Sequence, residues 1–195
     1  MELHTSYIMG PSKARGLVVS LKEIELRILA ELMKNSRRSD RELARAIGSS
    51  QPTITRTRRK LEKEGYINEF TIIPNFNKIG YHLFALTFFT WRKGISAKEM
   101  EEARRSALKQ ALSVPPNVVL IERGIGLGYD SFMASFHKDY TSYTNLMNEV
   151  RKSPNMDPSR IESFLVNLDD ELHYRYLTLS TLANHLLTMQ KREKK

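Results

Sequence analysis

With 195 residues, 41% hydrophobic and 27% charged, the chain is sized for one large or two small globular domains. The absence of cysteine excludes a disulfide framework and a thiolate metal site, and no apolar run is long enough to span a bilayer. The net charge of +9 points to a polyanionic partner and is concentrated at the ends of the chain. Residues 1–75 hold fourteen Lys and Arg against nine acids, residues 76–190 thirteen against twelve, and residues 191–195 four against one.

Residues 1–19 read as a flexible basic arm. Gly10, Pro11, Lys13 and Arg15 break up this segment, so the apolar middle of a signal peptide is missing and a cytoplasmic protein is expected. A first helix is expected from a capping box of Ser20 with Glu23, carrying Leu21, Ile24, Ile28, Leu29, Leu32 and Met33 at helical spacing. A second box, Ser39 with Glu42, opens a short helix with Leu43, Ala44 and Ile47 inward and a stop at Gly48. A third helix begins at Ser50, takes Pro52 in its first turn and runs to about Glu64 before Gly65. Ile54, Thr57 and Leu61 form its inner face.

Two short helices across a glycine turn make a helix-turn-helix. From Ser50 to Lys60 the third helix carries four cations and no acid, whereas a merely solvated helix mixes signs. Ser50, Gln51, Thr53, Thr55 and Arg56 suit base edges of double-stranded DNA, and Arg59, Lys60 and Arg41 suit phosphates.

The stretch RELARAIGSSQPTITRTRRKLEKEGYI resembles the DNA-binding domain of the Lrp/AsnC family of transcription regulators. Arg58 departs from that pattern, standing where the family carries an inner aliphatic residue, and Gln51-Pro52 replaces a Pro-Ser pair. The resemblance implies an α+β protein, with a winged helix-turn-helix over 20–75 followed by a ferredoxin-like effector and oligomerisation domain over 80–168.

The remaining residues are read in that order. Tyr66 to Ile73 is rich in β-branched and aromatic residues and reads as a hinge strand. His82 to Trp91 reads as a buried strand, and Ser96 with Glu99 opens a helix closed by Pro115-Pro116-Asn117. Val118 to Arg123 and Ser131 to His137 read as strands joined through Gly124 to Gly128. Asp139 caps a helix to Lys152, and Arg160 to Leu168 is a last strand with Phe164, Val166 and Leu168 on one side. This is the β-α-β-β-α-β order of ferredoxin-like domains. Residues 169–195 read as an amphipathic helix opened by Asp169, Asp170 and Glu171, with a basic tail, packing on its own domain or, as the favoured choice, on a partner subunit.

The glycine run is followed by a strand, which counts against a dinucleotide-binding turn and leaves a hairpin. The family resemblance implies that Gly126, Gly128, Tyr129 and Asp130 line a cleft for an amino acid or related small effector. It also implies a homodimer or a higher oligomer. His4, His82, His137, His173 and His185 are scattered without metal-ligand spacing, and no catalytic set, cofactor or metal is expected. Two rival readings stay open at this level. Siroheme decarboxylases resemble the same architecture, and an architectural DNA-coating protein would use the same basic helix without sequence preference.

Overall fold

The computed structural model describes residues 21–91, 115–153, 156–172 and 177–193. The chain divides into two compact units, one comprising residues up to Ile73 with those from Leu177 onward, the other Pro74–Tyr176.

In the first unit, helix α1 spans Glu23–Lys34. The residue preceding its first turn is Lys22, whose backbone N–H donates to Glu25 Oε2 at 2.7 Å. The box expected from Ser20 and Glu23 is therefore displaced by two residues, with Glu25 as the acid that reaches back; Ser20 lies outside the described residues. Helix α2 spans Asp40–Ile47 behind the reciprocal pair Ser39 and Glu42, and Gly48 ends it at φ 74°. Helix α3 spans Gln51–Lys63; the Ser50 hydroxyl accepts from the Thr53 N–H at 3.4 Å, and Gly65 leaves the helix at φ 75°. Ile28, Leu43, Ile54 and Leu61 are fully buried where the three helices meet, with Leu32, Ala44 and Ile47 beside them.

Residues 66–73 form no strand. Ile67 packs against the helical core, Thr71 accepts at its carbonyl from the Ser36 hydroxyl, and Phe70, Ile72 and Ile73 are exposed. A β-prone segment becomes a strand only where a second edge pairs with it, and no strand among the described residues pairs with this one.

The second unit is one antiparallel sheet in the order β2-β3-β1-β4, built from β1 (Leu83–Trp91), β2 (Val118–Gly126), β3 (Tyr129–His137) and β4 (Met156–Asn167). Helix α4, Tyr140–Arg151, starts behind Asp139, whose Oδ1 accepts from the Ser142 N–H at 2.6 Å. The helix expected after Ser96 lies outside the described residues. On the α4 side Phe89 and Met133 pack with Leu146 and Met147. The alternate positions Phe84, Leu86 and Phe88 are registered with Phe136, Ala134 and Phe132 on one side and with Val166, Phe164 and Glu162 on the other. They form the second face of the sheet, with Phe76 stacked on Phe136 at 4.0 Å.

Two of the sheet's boundaries differ from the expected ones. The glycine run is mostly strand, and the turn shrinks to Leu127-Gly128, both at positive φ (54° and 77°), as in the type I′ hairpin whose twist matches its strands. Strand β4 begins at Met156, which pairs with Trp91, rather than at Arg160.

The last helix, α5, spans Ser180–Glu193. Its expected start at Asp169 is not observed, because that carboxylate is taken up by the sheet unit: Asp169 Oδ1 meets His82 Nδ1 at 2.7 Å and accepts from Asn77 Nδ2 at 2.5 Å. Helix α5 packs on α1 of its own chain, with Ala183 fully buried. No helix among the described residues is long and apolar enough to cross a membrane.

Candidate nucleic-acid interface

The rotation of α3 follows from its two buried residues. Ile54 and Leu61 are spaced two turns apart and fix the inward side. The opposite stripe is then Pro52, Arg56, Arg59 and Lys63, all exposed. Three cations thus share one outward line with no acid among them.

The remaining residues expected at the interface divide by their partners. Gln51 and, on α2, Arg41 are exposed. Ser50 and Thr53 hydroxyls lie 2.8 Å apart and close the first turn of α3. Thr55 is turned toward α2, donating to Asp40 Oδ2 at 2.6 Å. Lys60 is turned toward α1: its Nζ lies 2.7 Å from Oε1 of Glu25, a carboxylate only 4% exposed, and 3.8 Å from Glu64. The Lys60 hydrogen bond holds Glu25 below the usual glutamate range, and Glu25 raises Lys60 in return. Arg58, at the family's aliphatic position, donates from Nε to Asp40 Oδ1 at 2.7 Å and from Nη1 to Glu62 Oε1 at 2.5 Å. Lys63, an outward position of the helix, stood outside the contacts expected from the sequence. Its signal was there, because 52, 56, 59 and 63 follow helical spacing once Ile54 and Leu61 set the phase.

At the hairpin, Gly126 and Gly128 are exposed, and Gly128 gives its carbonyl to Arg160 Nη2. The Arg160 guanidinium also lies over the Tyr129 ring, 5.7 Å from its centroid. The Tyr129 hydroxyl bonds to Glu162, which pushes its pKa up. Asp130 Oδ2 accepts from the Trp91 N–H at 3.4 Å, whereas its Oδ1 is buried without a hydrogen-bond partner. The other such atom among the described residues is Thr90 Oγ1. Thr90 follows and Asp130 precedes the last β1–β3 pair, Phe89↔Ser131, so both atoms belong to the same end of the sheet.

Residues 21–68 match the family described as winged helix-turn-helix DNA-binding. An HTH-type transcriptional regulator of Pyrococcus furiosus, PF2053, is 30% identical over 135 residues, covering 69% of this chain and 85% of that protein. Among solved structures, Bacillus subtilis LrpC superposes with a TM-score of 0.61 at 23% identity, covering 80% of this chain and 99% of LrpC. The Neisseria meningitidis regulator NMB0573, solved as a complex with L-Met, gives a TM-score of 0.64 at 18% identity, covering 84% and 99%. The helix-turn-helix with its outward cations, the four-stranded sheet that follows it and these likenesses agree: the chain belongs to the Lrp/AsnC family of helix-turn-helix transcription regulators.

Proposed function

We propose that the protein regulates transcription from the cytoplasm as a homodimer, with α3 in the major groove of double-stranded DNA. The observation that carries this reading is the outward line of Arg56, Arg59 and Lys63 opposite the buried Ile54 and Leu61. Arg56, nearer the N-terminal half of the helix with Gln51, Ser50 and Thr53, meets base edges. Arg59, Lys63 and Arg41 meet phosphates, which position the protein without reading sequence. The internal bonds of Thr55 and Lys60 give them a supporting part. Two copies would read half-sites about one helical turn apart or a multiple of it.

The second face of the sheet supplies the dimer contact. Phe164 is 64% exposed on it, beside the half-buried Phe84, Leu86 and Phe88, and a contiguous apolar face of this kind marks an interaction surface. The exposed side chains Phe70, Ile72 and Ile73 are a second candidate for contact between copies.

An amino acid or related effector seated by the hairpin would set its ammonium toward the Asp130 carboxylate beside Tyr129 and its carboxylate toward the exposed Gly126 and Gly128. Such coupling typically changes DNA affinity by about 1–3 kcal/mol.

The test is a binding titration over several salt concentrations with Arg56→Ala and Arg59→Ala. Arg56→Ala should lose affinity for the selected sequence, while Arg59→Ala should weaken all sequences and reduce the salt slope by about one unit. Unchanged binding in both variants refutes the interface.

A further inference from the structure

We propose that Asp40 and Arg58 form a positioning pair that sets the rotation of the recognition helix against α2, so that these two residues govern sequence discrimination without touching DNA. The inference rests on α3 being the recognition helix.

The inner face of α3 is thin. Its fully buried apolar residues are Ile54 and Leu61, both on one narrow line; Thr57 is half-buried and spends its hydroxyl on the Thr53 carbonyl at 2.8 Å. Two points on one line hold a helix in place along its axis but resist rotation about that axis weakly. Where the family carries an aliphatic side chain, this chain has Arg58, and polar bonds take over the restraint.

Those bonds are directional. Arg58 approaches Asp40 side-on, Nε to Oδ1 at 2.7 Å and Nη2 to Oδ2 at 3.3 Å, a paired geometry that fixes orientation as well as distance. Thr55 adds a third bond to the same carboxylate at 2.6 Å, and Glu62 holds the far side of the guanidinium at 2.5 Å. One carboxylate thus grips α3 at two residues three positions apart. Asp40 is itself fixed, as the first residue of α2, where the helix N-terminus favours a negative charge. The pair is enclosed enough to be little screened, with the Asp40 side chain 15% exposed and that of Arg58 27%.

A rotation of about 20° would carry a side chain at the helix surface, about 5–6 Å from the axis, through roughly 2 Å. That displacement breaks a base-edge hydrogen bond but leaves a phosphate contact within reach of a flexible arginine. Loosening the pair should therefore erode discrimination while sparing general affinity.

The sign of the charge effect separates this idea from plain electrostatics. Asp40→Asn removes a negative charge from the DNA-facing unit, and electrostatics alone would make every duplex bind more tightly. Arg58→Lys keeps the charge and loses the side-on geometry. The experiment measures affinity of the full chain for a duplex selected from a random pool and for a random duplex, across a salt series, with Arg56→Ala as control and melting temperatures recorded. Both variants should lose about tenfold in the selected-to-random ratio, the scale of one base-edge contact, with random-duplex affinity and salt slope held or, for Asp40→Asn, slightly raised. An unchanged ratio in either folded variant overturns the proposal. So does a salt slope reduced in Arg58→Lys, which would make Arg58 a phosphate contact. Should Asp40→Asn fail to fold, Arg58→Lys decides alone. If Arg56→Ala leaves both affinities intact, the recognition-helix reading fails instead.

Discussion

The two units close their cores differently. The helical unit buries Ile28, Leu43, Ile54 and Leu61 completely among its own elements. The sheet unit buries one face, around Phe89 and Met147, while on the other Phe164 and Leu120 remain exposed. The three-helix core of the first unit is closed by residues of its own chain. The second has a face suited to a further surface. A substitution in a closed core should therefore act on folding, and one on the open face should act on assembly.

The largest expected effect follows directly. Leu61→Ala removes a fully buried side chain, leaving a cavity in the helical core, and should cost about 2–5 kcal/mol of stability in a denaturant titration. Phe164→Ser should leave that stability nearly unchanged, because the side chain is already exposed in the single chain. Its effect belongs to association: the dimer dissociation constant, read by sedimentation or light scattering, should weaken by about 2 kcal/mol or more if Phe164 lies at the centre of the interface. Equal dissociation constants for Phe164→Ser and the unaltered protein would remove the sheet face from the assembly.

A smaller effect sharpens the division inside α3. Lys60→Gln takes from Glu25, a carboxylate 4% exposed, one of its two partners, and should lower the denaturation midpoint of the helical unit. Since Glu25 is held below the ordinary carboxylate range by that hydrogen bond, its contribution is present above about pH 4.3 and lost as pH falls through the lower folded value. The salt slope of DNA binding should not move. A slope reduced by one unit would return Lys60 to the phosphate contacts.

The same contrast explains what was legible in the sequence. The Ser39–Glu42 box, the Gly48 stop and the Ile54–Leu61 phase are local signals, each complete within a turn or two, and they carried the helix-turn-helix. The employment of Thr55, Arg58 and Lys60 was hidden, because their partners Asp40 and Glu25 stand fifteen or more residues away. Tyr66 to Ile73 has strand composition but pairs with no strand among the described residues, and composition alone cannot supply a pairing edge. Asp169 looked like a helix opener because nothing local records that His82 and Asn77 claim it. The glycine run misled by its count: only Leu127-Gly128 turns, and a two-residue hairpin leaves the other glycines in strand.

The smallest predicted effect concerns His137, 1% exposed at the end of β3. Asn117 Nδ2 donates to the Phe136 carbonyl at 2.9 Å and lies 3.3 Å from His137 Nδ1, which fixes the amide nitrogen toward the ring. His137 Nδ1 then accepts, and Nε2 carries the proton that meets Ser135 Oγ at 2.8 Å. A second proton on Nδ1 would set donor against donor beside the Asn117 amide. Burial lowers the His137 pKa, with the Ser142 backbone and Asp139 opposing more weakly. Below the unfolded value of about 6.5 the unfolded chain binds a proton that the native chain refuses, so stability drops as the pH is lowered below that value, by at most about 1.4 kcal/mol per pH unit, and is flat above it. Trp91, the chain's single tryptophan, belongs to the sheet unit, with its ring N–H donating to Ser131 Oγ at 2.9 Å. Its fluorescence should therefore report a lower denaturation midpoint at pH 5.5 than at pH 7.5, and His137→Gln should flatten that difference. The same pH dependence surviving in His137→Gln would assign it to another group.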